Sequence, residues 1–477
     1  MKFFSSKWFI ALTIILFMLQ GFFFSFAIAK FIPADEVYHY GLSQYFSQQQ
    51  LVAGPFVSDQ SEASFYLGDI ERDPSTLYHY LMGFILRVSE GVVQDENILI
   101  FILRIINVLF GALALFVFFK IARQLTTSRT AGNFSVFGLA LTGMFIWSAS
   151  AVSYDTLAIL FFFLFLYCVV NIVKHQKYDY YLYALLTGLA TGITKYTFIP
   201  TILIGIIAAA TVSLKKQTPQ QIVQKFTKQI KKSNILTITL AFLGTVLLSV
   251  WVFNIHLMNL IEYRSIDPKC DQVHEFRLCL KNSVFERDYI QKTGYEKQKK
   301  NNINGEQIIR YDPLGFTGLW LEDMYTRLYF FFGHKTMKFP DEARLVFGSI
   351  VVMSLLLIGF KRRPILRDES KQVVAIISLS YIFILYIYNL NTWISLGAKF
   401  AYQGRYLLPV IGFIYLFILL AMRDYFLTHK SWPIKLIIVI IMTLALITFM
   451  PIAIFINNTD DSWYSKPYVN MREYLLE

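Results

Sequence analysis

Charged side chains are scarce in this sequence: they make up 16% of its 477 residues, whereas soluble domains average about 25%. Apolar residues reach 56%, and several runs approach the roughly 20 apolar residues that cross a hydrocarbon core. This composition excludes an ordinary soluble protein. It predicts an all-α polytopic membrane protein, because a helix satisfies its own backbone hydrogen bonds in lipid. The formal charge of +12 forms no soluble basic patch, so no nucleic-acid partner is expected.

Cysteine is nearly absent, with three residues in the chain. Cys168 lies in an apolar run and is interpreted as a buried core residue. Cys270 and Cys279 lie in a polar loop and lack the spacing of a zinc site. They could form a disulfide if the loop faces an oxidising compartment, and we predict that bond. Internal repeats and low-complexity linkers are also missing, which indicates one domain over residues 1–477.

The apolar runs predict eleven transmembrane helices. These spans cover residues 8–29, 98–119, 133–150, 156–173, 179–195, 197–214, 235–256, 345–360, 373–391, 405–422 and 433–456. Residues 179–214 are divided into two short spans, because about 50 Å of helix is too long for one. The segment 75–93, interrupted by His79, Arg87 and Glu90, is interpreted as an interfacial or re-entrant helix rather than a span.

The distribution of charge predicts the orientation. With the N-terminus in the cytoplasm, the cytoplasmic loops hold 20 basic and four acidic residues, whereas the first external loop holds ten acidic and three basic ones. This is the positive-inside pattern. It predicts a cell (inner or plasma) membrane protein with an external C-terminus and two large external loops, 30–97 and 257–344, that carry interfacial helices. The basic segment 215–232 is expected to meet anionic membrane lipids.

Several ionisable and polar residues are predicted to converge on the external face. Asp35 and Glu36 follow the end of the first span, and further candidates are Arg104, Asp155, Lys195, Gln403, Arg405 and Tyr406. Ionisable groups at or inside a bilayer are costly and often functional. Asn107 shares the helix face of Arg104.

Structural explanations compete with a functional one. Either aspartate could cap a helix, Lys195 could extend to lipid headgroups, and Arg405 could anchor the interface. Arg104 could belong to a structural ion pair. His39, one turn after Asp35, could add a second metal ligand.

One carboxylate and several cations at a membrane surface suit glycosyl transfer from a lipid-linked phosphosugar. The phosphate leaves as an anion and needs cations rather than an acid, and the acceptor hydroxyl needs one base. Glycoside hydrolysis instead needs two carboxyl groups that flank the bond. Asp35 and Glu36 are adjacent in sequence and point about 100° apart on a helix, so they do not form that pair.

The sequence resembles the GT-C superfamily of polytopic glycosyltransferases that use polyprenyl-phosphate sugars. More narrowly, "ADEVYHYG", "AVSYDTLAI", "TGLATGITKYT" and "AYQGRYLLP" are similar to a bacterial family of predicted membrane proteins related to that class. Where that family often has a His-Pro-Pro-like segment, this chain has "RDPSTLYHY", which leaves Asp73 and His79 without an assigned role.

The resemblance implies that Asp35 is the base, that Asp155 is a second acidic site residue, and that Lys195 and Arg405 contact the donor phosphate. Glu36 joins the two aspartates as a catalytic candidate. Arg104, Gln403 and Tyr406 join the substrate-binding candidates.

The expected function is inverting transfer of a sugar from a polyprenyl-phosphate donor to an envelope glycan, lipid or protein acceptor at the external face. No cofactor is assigned, and a divalent metal is left open. A transporter or flippase of lipid-linked sugars and a non-catalytic polysaccharide assembly protein are the alternatives.

Overall fold

The computed structural model describes residues 3–48, 75–301, 313–329, 367–396, 402–428 and 451–476, with a few single positions between 348 and 365. Regular structure in these residues is helical, apart from an isolated antiparallel bridge between Ile28 and Tyr464. In chain order the helices are α1 (Lys7–Ala27), α2 (Glu36–Gln48), α3 (Leu77–Glu90), α4 (Glu96–Leu125), α5 (Arg129–Ala140), α6 (Gly143–Ala149), α7 (Asp155–His175), α8 (Tyr180–Thr194), α9 (Ile199–Lys216), α10 (Pro219–Lys232), α11 (Ile235–Val252), α12 (Met258–Tyr263), α13 (Cys270–Val273), α14 (Phe276–Cys279), α15 (Ser283–Asn301), α16 (Pro313–Tyr329), α17 (Glu369–Leu396), α18 (Leu408–Thr428), α19 (Pro451–Asn458) and α20 (Lys466–Leu476).

The predicted all-α polytopic fold class is confirmed. In the described ranges, seven helices are long and apolar enough to cross a membrane, and the pair α5–α6, bent by 61°, makes an eighth if it counts as one span. Those seven are α1, α4, α7, Tyr196–Lys216, Ile235–Tyr263, α17 and Gly404–Asp424. All eight correspond to predicted spans.

The other three predicted spans differ in outcome. Residues 179–195 form a helix, α8, but its 15 residues reach only about 22 Å, less than a hydrocarbon core of about 30 Å. Residues 345–360 and 433–456 lie mostly outside the described residues. The total of eleven spans therefore stays a prediction.

Burial within the bundle distinguishes its central helices from its peripheral ones. The apolar window of α7 is 83% buried inside the protein, against 11% for Ile235–Tyr263. Leu236, Leu240 and Leu247 on that outer helix are exposed, which would be unfavourable in water and is what a lipid-facing surface requires. α7 is thus the centre around which the other helices pack.

One end of the bundle is basic. Lys216 donates to the carbonyl of Val173 (3.2 Å) and pairs with Glu369, and Lys174 donates to the carbonyl of Gln124. These contacts gather the C-termini of α4, α7 and α9 with the start of α17, where lysine complements the negative end of a helix dipole. We call this the basic end.

α10 lies at the basic end and is amphipathic. Thr218 and Gln221 form a capping box that starts the helix. Ile222 and Phe226 pack against the core, while Lys225 and Lys228 are exposed. A short helix of this kind suits a position in the membrane interface.

The opposite end, which carries Asp35, also receives the C-terminal segment. The amide of Ala29 donates to the carbonyl of Trp463 (2.9 Å), and the amide of Ser465 donates to the carbonyl of Ala27 (2.7 Å). The tail therefore lies beside the end of α1, on the same side as Asp35, as the sequence predicted. We call this the Asp35 end.

The large loop after Tyr263 carries the predicted disulfide. Cys270 and Cys279 are bonded, with their Cα atoms 5.7 Å apart, and both are buried. Cys168 is a free, buried thiol, as predicted.

We predict that the two ends of the bundle face opposite sides of the membrane. A cysteine replacing exposed Lys228 at the basic end should not react with a membrane-impermeant thiol reagent in intact cells, whereas one replacing exposed Asp461 should. The wild-type chain is the control, because its one free thiol is buried. Labelling of both positions from the same side would contradict the arrangement.

Candidate active site

A buried ion pair joins Arg104 on α4 to Glu36 at the start of α2. The guanidinium of Arg104 donates from Nε to Glu36 Oε1 (2.8 Å) and from Nη2 to Oε2 (2.6 Å). Its other N–H groups donate to the carbonyls of Ser25, Ile28 and Ala29, at 3.1, 2.7 and 3.1 Å. All five donors of an arginine side chain are therefore occupied by protein acceptors.

The Glu36 carboxylate is equally saturated. Besides Arg104, the amide of Val152 donates to Oε1 (3.0 Å) and the amide of Phe31 donates to Oε2 (2.9 Å). Glu36 is fully buried. This geometry gives neither the predicted catalytic role of Glu36 nor the predicted substrate-binding role of Arg104 any direct support. The structural ion pair that the sequence left open for Arg104 accounts for both.

Four other predicted residues form a cluster of alternating charge. Lys195 donates from Nζ to Asp155 Oδ1 (2.5 Å). Arg405 Nε lies 3.5 Å from Asp155 Oδ2, and Arg405 Nη2 pairs with Asp35. The order in space is thus Asp35, Arg405, Asp155, Lys195, which we call the charge cluster. Its formal charge sums to zero.

The cluster is assembled from the ends of separate helices. Asp155 is the first residue of α7, Lys195 follows α8, and Arg405 lies in the 3-10 turn Gly404–Leu407 before α18. Asp35 precedes α2 in the left-handed region, with φ of 62°, which aspartate tolerates better than most residues. The apolar helices thereby place two carboxylates and two cations at one end of the bundle.

The contacts exclude some of the structural explanations. The Asp155 carboxylate contacts Lys195 and does not cap α7, and its Oδ2 has no hydrogen-bond partner in the described structure. Lys195 does not extend to headgroups, since its side chain is only 7% exposed. Arg405 is also buried.

Two tyrosines enclose the ammonium of Lys195. Its Nζ lies 4.8 Å from the ring centre of Tyr154 and 4.5 Å from that of Tyr406. A cation over an aromatic face is stabilised by the ring quadrupole, more so when it is shielded from water. The predicted residue Tyr406 thus helps to hold Lys195 in place.

Access to the two carboxylates differs sharply. The side chain of Asp35 is 42% exposed, whereas that of Asp155 is 5% exposed. A substrate can therefore reach Asp35 directly, while Asp155 lies behind its two cations.

A cavity opens beside the charge cluster. Its lining comprises Pro33, Ala34, Met144, Trp147, Ser148, Ala151, Ser153, Arg327, Gln403 and Arg405. The structure thus brings the predicted residues Gln403 and Arg405 into one wall, together with Arg327 of α16, which sequence reasoning missed. Gly404 allows this approach, because a Cβ there would overlap the backbone of Arg327 and Leu328.

His39 and His79 form a second buried pair at this end. His79 Nδ1 lies 3.1 Å from the carbonyl of Ser75, and His79 Nε2 lies 2.9 Å from His39 Nδ1. A carbonyl can only accept, so His79 donates from Nδ1 and its Nε2 accepts from His39. Burial lowers the pKa of His39 to about 4 and that of His79 well below its usual value, so both are neutral near pH 7.

The predicted second metal ligand, His39, thus has an imidazole as its hydrogen-bonded partner. Across the described ranges, no three His, Cys, Asp or Glu side chains group as a metal site would require. Asp73 lies outside those ranges.

We predict that Glu36→Gln destabilises the protein by roughly 3–5 kcal/mol, the usual cost of breaking a buried ion pair. The introduced amide is neutral, so the charge of Arg104 loses its counter-charge. Its NH2 group would also face N–H groups that donate to the carboxylate of Glu36 in the wild-type protein. Glu96→Gln is the control, because the Glu96–Lys30 pair is exposed and such pairs contribute about 0–1 kcal/mol. Thermal unfolding in detergent would measure both, and equal small losses would contradict the structural role.

The histidine pair predicts a loss of stability in mild acid. Both folded-state pKa values lie below the unfolded value of 6.5, so the unfolded chain binds more protons and stability falls as the pH drops from about 6.5 toward 4. The nearby charges partly cancel: Asp35 and Asp155 raise the pKa of His39, and Arg405 and Lys195 lower it. Melting temperatures should show this slope flattened in a His39→Gln, His79→Gln double variant. Burial also lowers the pKa of exposed His175, so a His175→Gln variant should flatten the slope less than the double variant does. An unchanged slope in the double variant would refute the assignment.

Comparison with known proteins gives a family and a set of remote structural matches. The model of a family described as predicted membrane protein, DUF2142, matches residues 74–414. No curated protein sequence matches significantly. Three matching crystal or complex structures are of the oligosaccharyltransferase of Archaeoglobus fulgidus: one tethered by a disulfide to an acceptor peptide with the NVT sequon (13% identity, TM-score 0.49), one with an inhibitory peptide and a dolichol-phosphate (12%, 0.45), and the apo form (12%, 0.46).

These matches cover 100%, 99% and 99% of this chain but 60% of each archaeal chain. At TM-scores below 0.5, nothing about the site or its activity follows from the similarity. The family match is stronger evidence than the structural matches, because it covers more than half of the chain. The protein belongs to the DUF2142 family of predicted membrane proteins.

Proposed function

We propose that this protein is an inverting glycosyltransferase that takes a sugar from a polyprenyl-phosphate donor at the external face of the cell membrane. The observation that carries the proposal is the charge cluster. It places one exposed carboxylate, Asp35, against a buried cation, Arg405, at the ends of membrane-crossing helices.

Asp35 acts as the base. Its exposure lets an acceptor hydroxyl approach, and a positioned carboxylate can take the hydroxyl proton. The hydroxyl oxygen forms the new bond to the anomeric carbon while the bond from that carbon to the phosphate oxygen breaks. The phosphate leaves as an anion, and attack from the opposite face inverts the anomeric configuration.

Arg405 and Lys195 stabilise the departing phosphate. A guanidinium fork suits phosphate oxygens, and an ammonium adds a point charge. Asp155 positions both cations, because its two oxygens lie against Lys195 and Arg405. Tyr154 and Tyr406 restrict the ammonium from the other sides.

Donor and acceptor would both approach from the Asp35 end, which the charge distribution of the sequence assigns to the external face. The donor's lipid chain suits the exposed apolar faces of the spans, and the acceptor is an envelope glycan, lipid or protein. We keep the sequence-based assignment of the cell membrane as part of the same proposal.

The distribution of buried charge favours an enzyme over a transporter. In the described part of the chain, the buried Asp, Glu, Lys and Arg side chains are Glu36, Arg104, Asp155, Lys195 and Arg405. All lie at the Asp35 end. A transporter of a charged lipid headgroup needs polar groups along a path through the bilayer, and the described helices show no such path. A non-catalytic assembly protein would give no reason for an accessible carboxylate held against a buried cation.

The proposal is tested by Asp35→Asn. We expect turnover to fall about 10²–10⁴-fold, the usual contribution of a positioned base, while binding of the donor is retained because the phosphate is held elsewhere. The assay is transfer of labelled sugar by purified protein from a panel of synthetic polyprenyl-phosphate sugars.

Asp95→Asn is the matched control. Asp95 is an exposed carboxylate at the same end that caps α4 through the amides of Asn97 and Ile98, and asparagine caps about as well. Full activity of Asp95→Asn beside loss in Asp35→Asn supports the base. Full activity of both variants would return Asp35 to the role of a helix cap and remove the basis of the proposal.

A further inference from the structure

The cavity beside the charge cluster has an electrostatic imbalance that the proposed roles do not use. Its described lining contains two arginines, Arg327 and Arg405, and no carboxylate. In the charge cluster, Arg405 is paired with Asp35 and Asp155. Neither of these carboxylates pairs with Arg327. Two like charges that line one cavity repel each other unless an anion lies between them.

Among the described residues, Arg327 has no partner of its own. It is half-buried on α16, and the described structure gives it neither a hydrogen bond nor an ion pair. A guanidinium that is partly withdrawn from water without a counter-charge is unfavourable, and a bound anion would offset that cost.

Arg405 supplies the second half of the site. Its side chain is more than nine-tenths buried. Its Nε faces Asp155 Oδ2 at 3.5 Å but makes no hydrogen bond in the described structure. The backbone contact between Gly404 and residues 327–328 brings the two arginines to the same wall. Gln403 adds an amide and Trp147 an aromatic surface to the lining.

We propose that this cavity binds an oxyanion of the substrate, a phosphate or a carboxylate, with Arg327 as its principal ligand and Arg405 as the second. This inference rests on the proposed glycosyl transfer and deepens it, since it assigns the anion a place and a residue. The oxyanion has two sources in such a substrate: the phosphate of the lipid donor, or a carboxylate on the transferred sugar.

Binding and turnover are measured separately for Arg327→Gln, which removes the charge. The probes are a short-chain prenyl phosphate without sugar, a prenyl-phosphate hexose and a prenyl-phosphate uronic acid, in detergent free of anionic lipid. Charge-assisted hydrogen bonds contribute about 1.5–3 kcal/mol, so we expect dissociation constants to rise about 10- to 100-fold. Arg327→Lys should recover part of the loss.

Arg277→Gln is the control. Arg277 is an exposed arginine on α14 in the same large loop and does not line the cavity. Weaker binding of all three probes by Arg327→Gln supports the site with phosphate as the anion. Weaker binding of the uronic acid alone supports the site with a sugar carboxylate.

Unchanged binding of every probe, or no binding of any probe by the wild-type protein, would overturn the inference. Failure of the proposed function shows elsewhere, because Asp35→Asn is then fully active. A protein in which Asp35→Asn abolishes turnover and Arg327→Gln leaves affinity unchanged keeps the transferase and loses this site.

Discussion

The arrangement of the Asp35 end depends on one buried ion pair. Arg104 holds the last carbonyls of α1, and Glu36 takes the amides of Phe31 and Val152. Phe31 lies four residues before Asp35, and Val152 lies three before Asp155. The same pair therefore fixes the turns that carry both carboxylates of the charge cluster. Its desolvation cost is offset by seven hydrogen bonds rather than by a single one.

The sequence was sufficient to identify the charge cluster but not its connections. Asp35, Asp155, Lys195 and Arg405 each stand where an apolar run begins or ends, and the asymmetry of basic loops puts those ends on one side. Fold class and eight spans follow from the same apolar runs. The pairing order Asp35, Arg405, Asp155, Lys195 depends on side-chain packing between helices that are far apart in sequence, which hydropathy does not encode.

Glu36, Arg327 and the histidine pair show where sequence reasoning fails. Helix geometry separates Glu36 from Asp35 by about 100°, but it does not reveal that Glu36 meets Arg104, 68 residues away. Arg327 belongs to an aromatic-rich segment that reads as a surface helix, and its position depends on the bare backbone of Gly404. His39 and His79 are 40 residues apart, and no local pattern joins them.

The single guanidinium shared by Asp35 and Asp155 has a consequence for the order of events. In the proposed reaction, a donor phosphate that binds Arg405 competes with Asp35 for the same N–H groups. Arrival of the donor would thus release the carboxylate that the acceptor needs, and reciprocity requires that an acceptor engaging Asp35 favours the donor by an equal factor. Before the lipid phosphate binds, Asp35 is paired with Arg405 and is a weaker base. Water that reaches Asp35 at that stage is therefore not activated for hydrolysis.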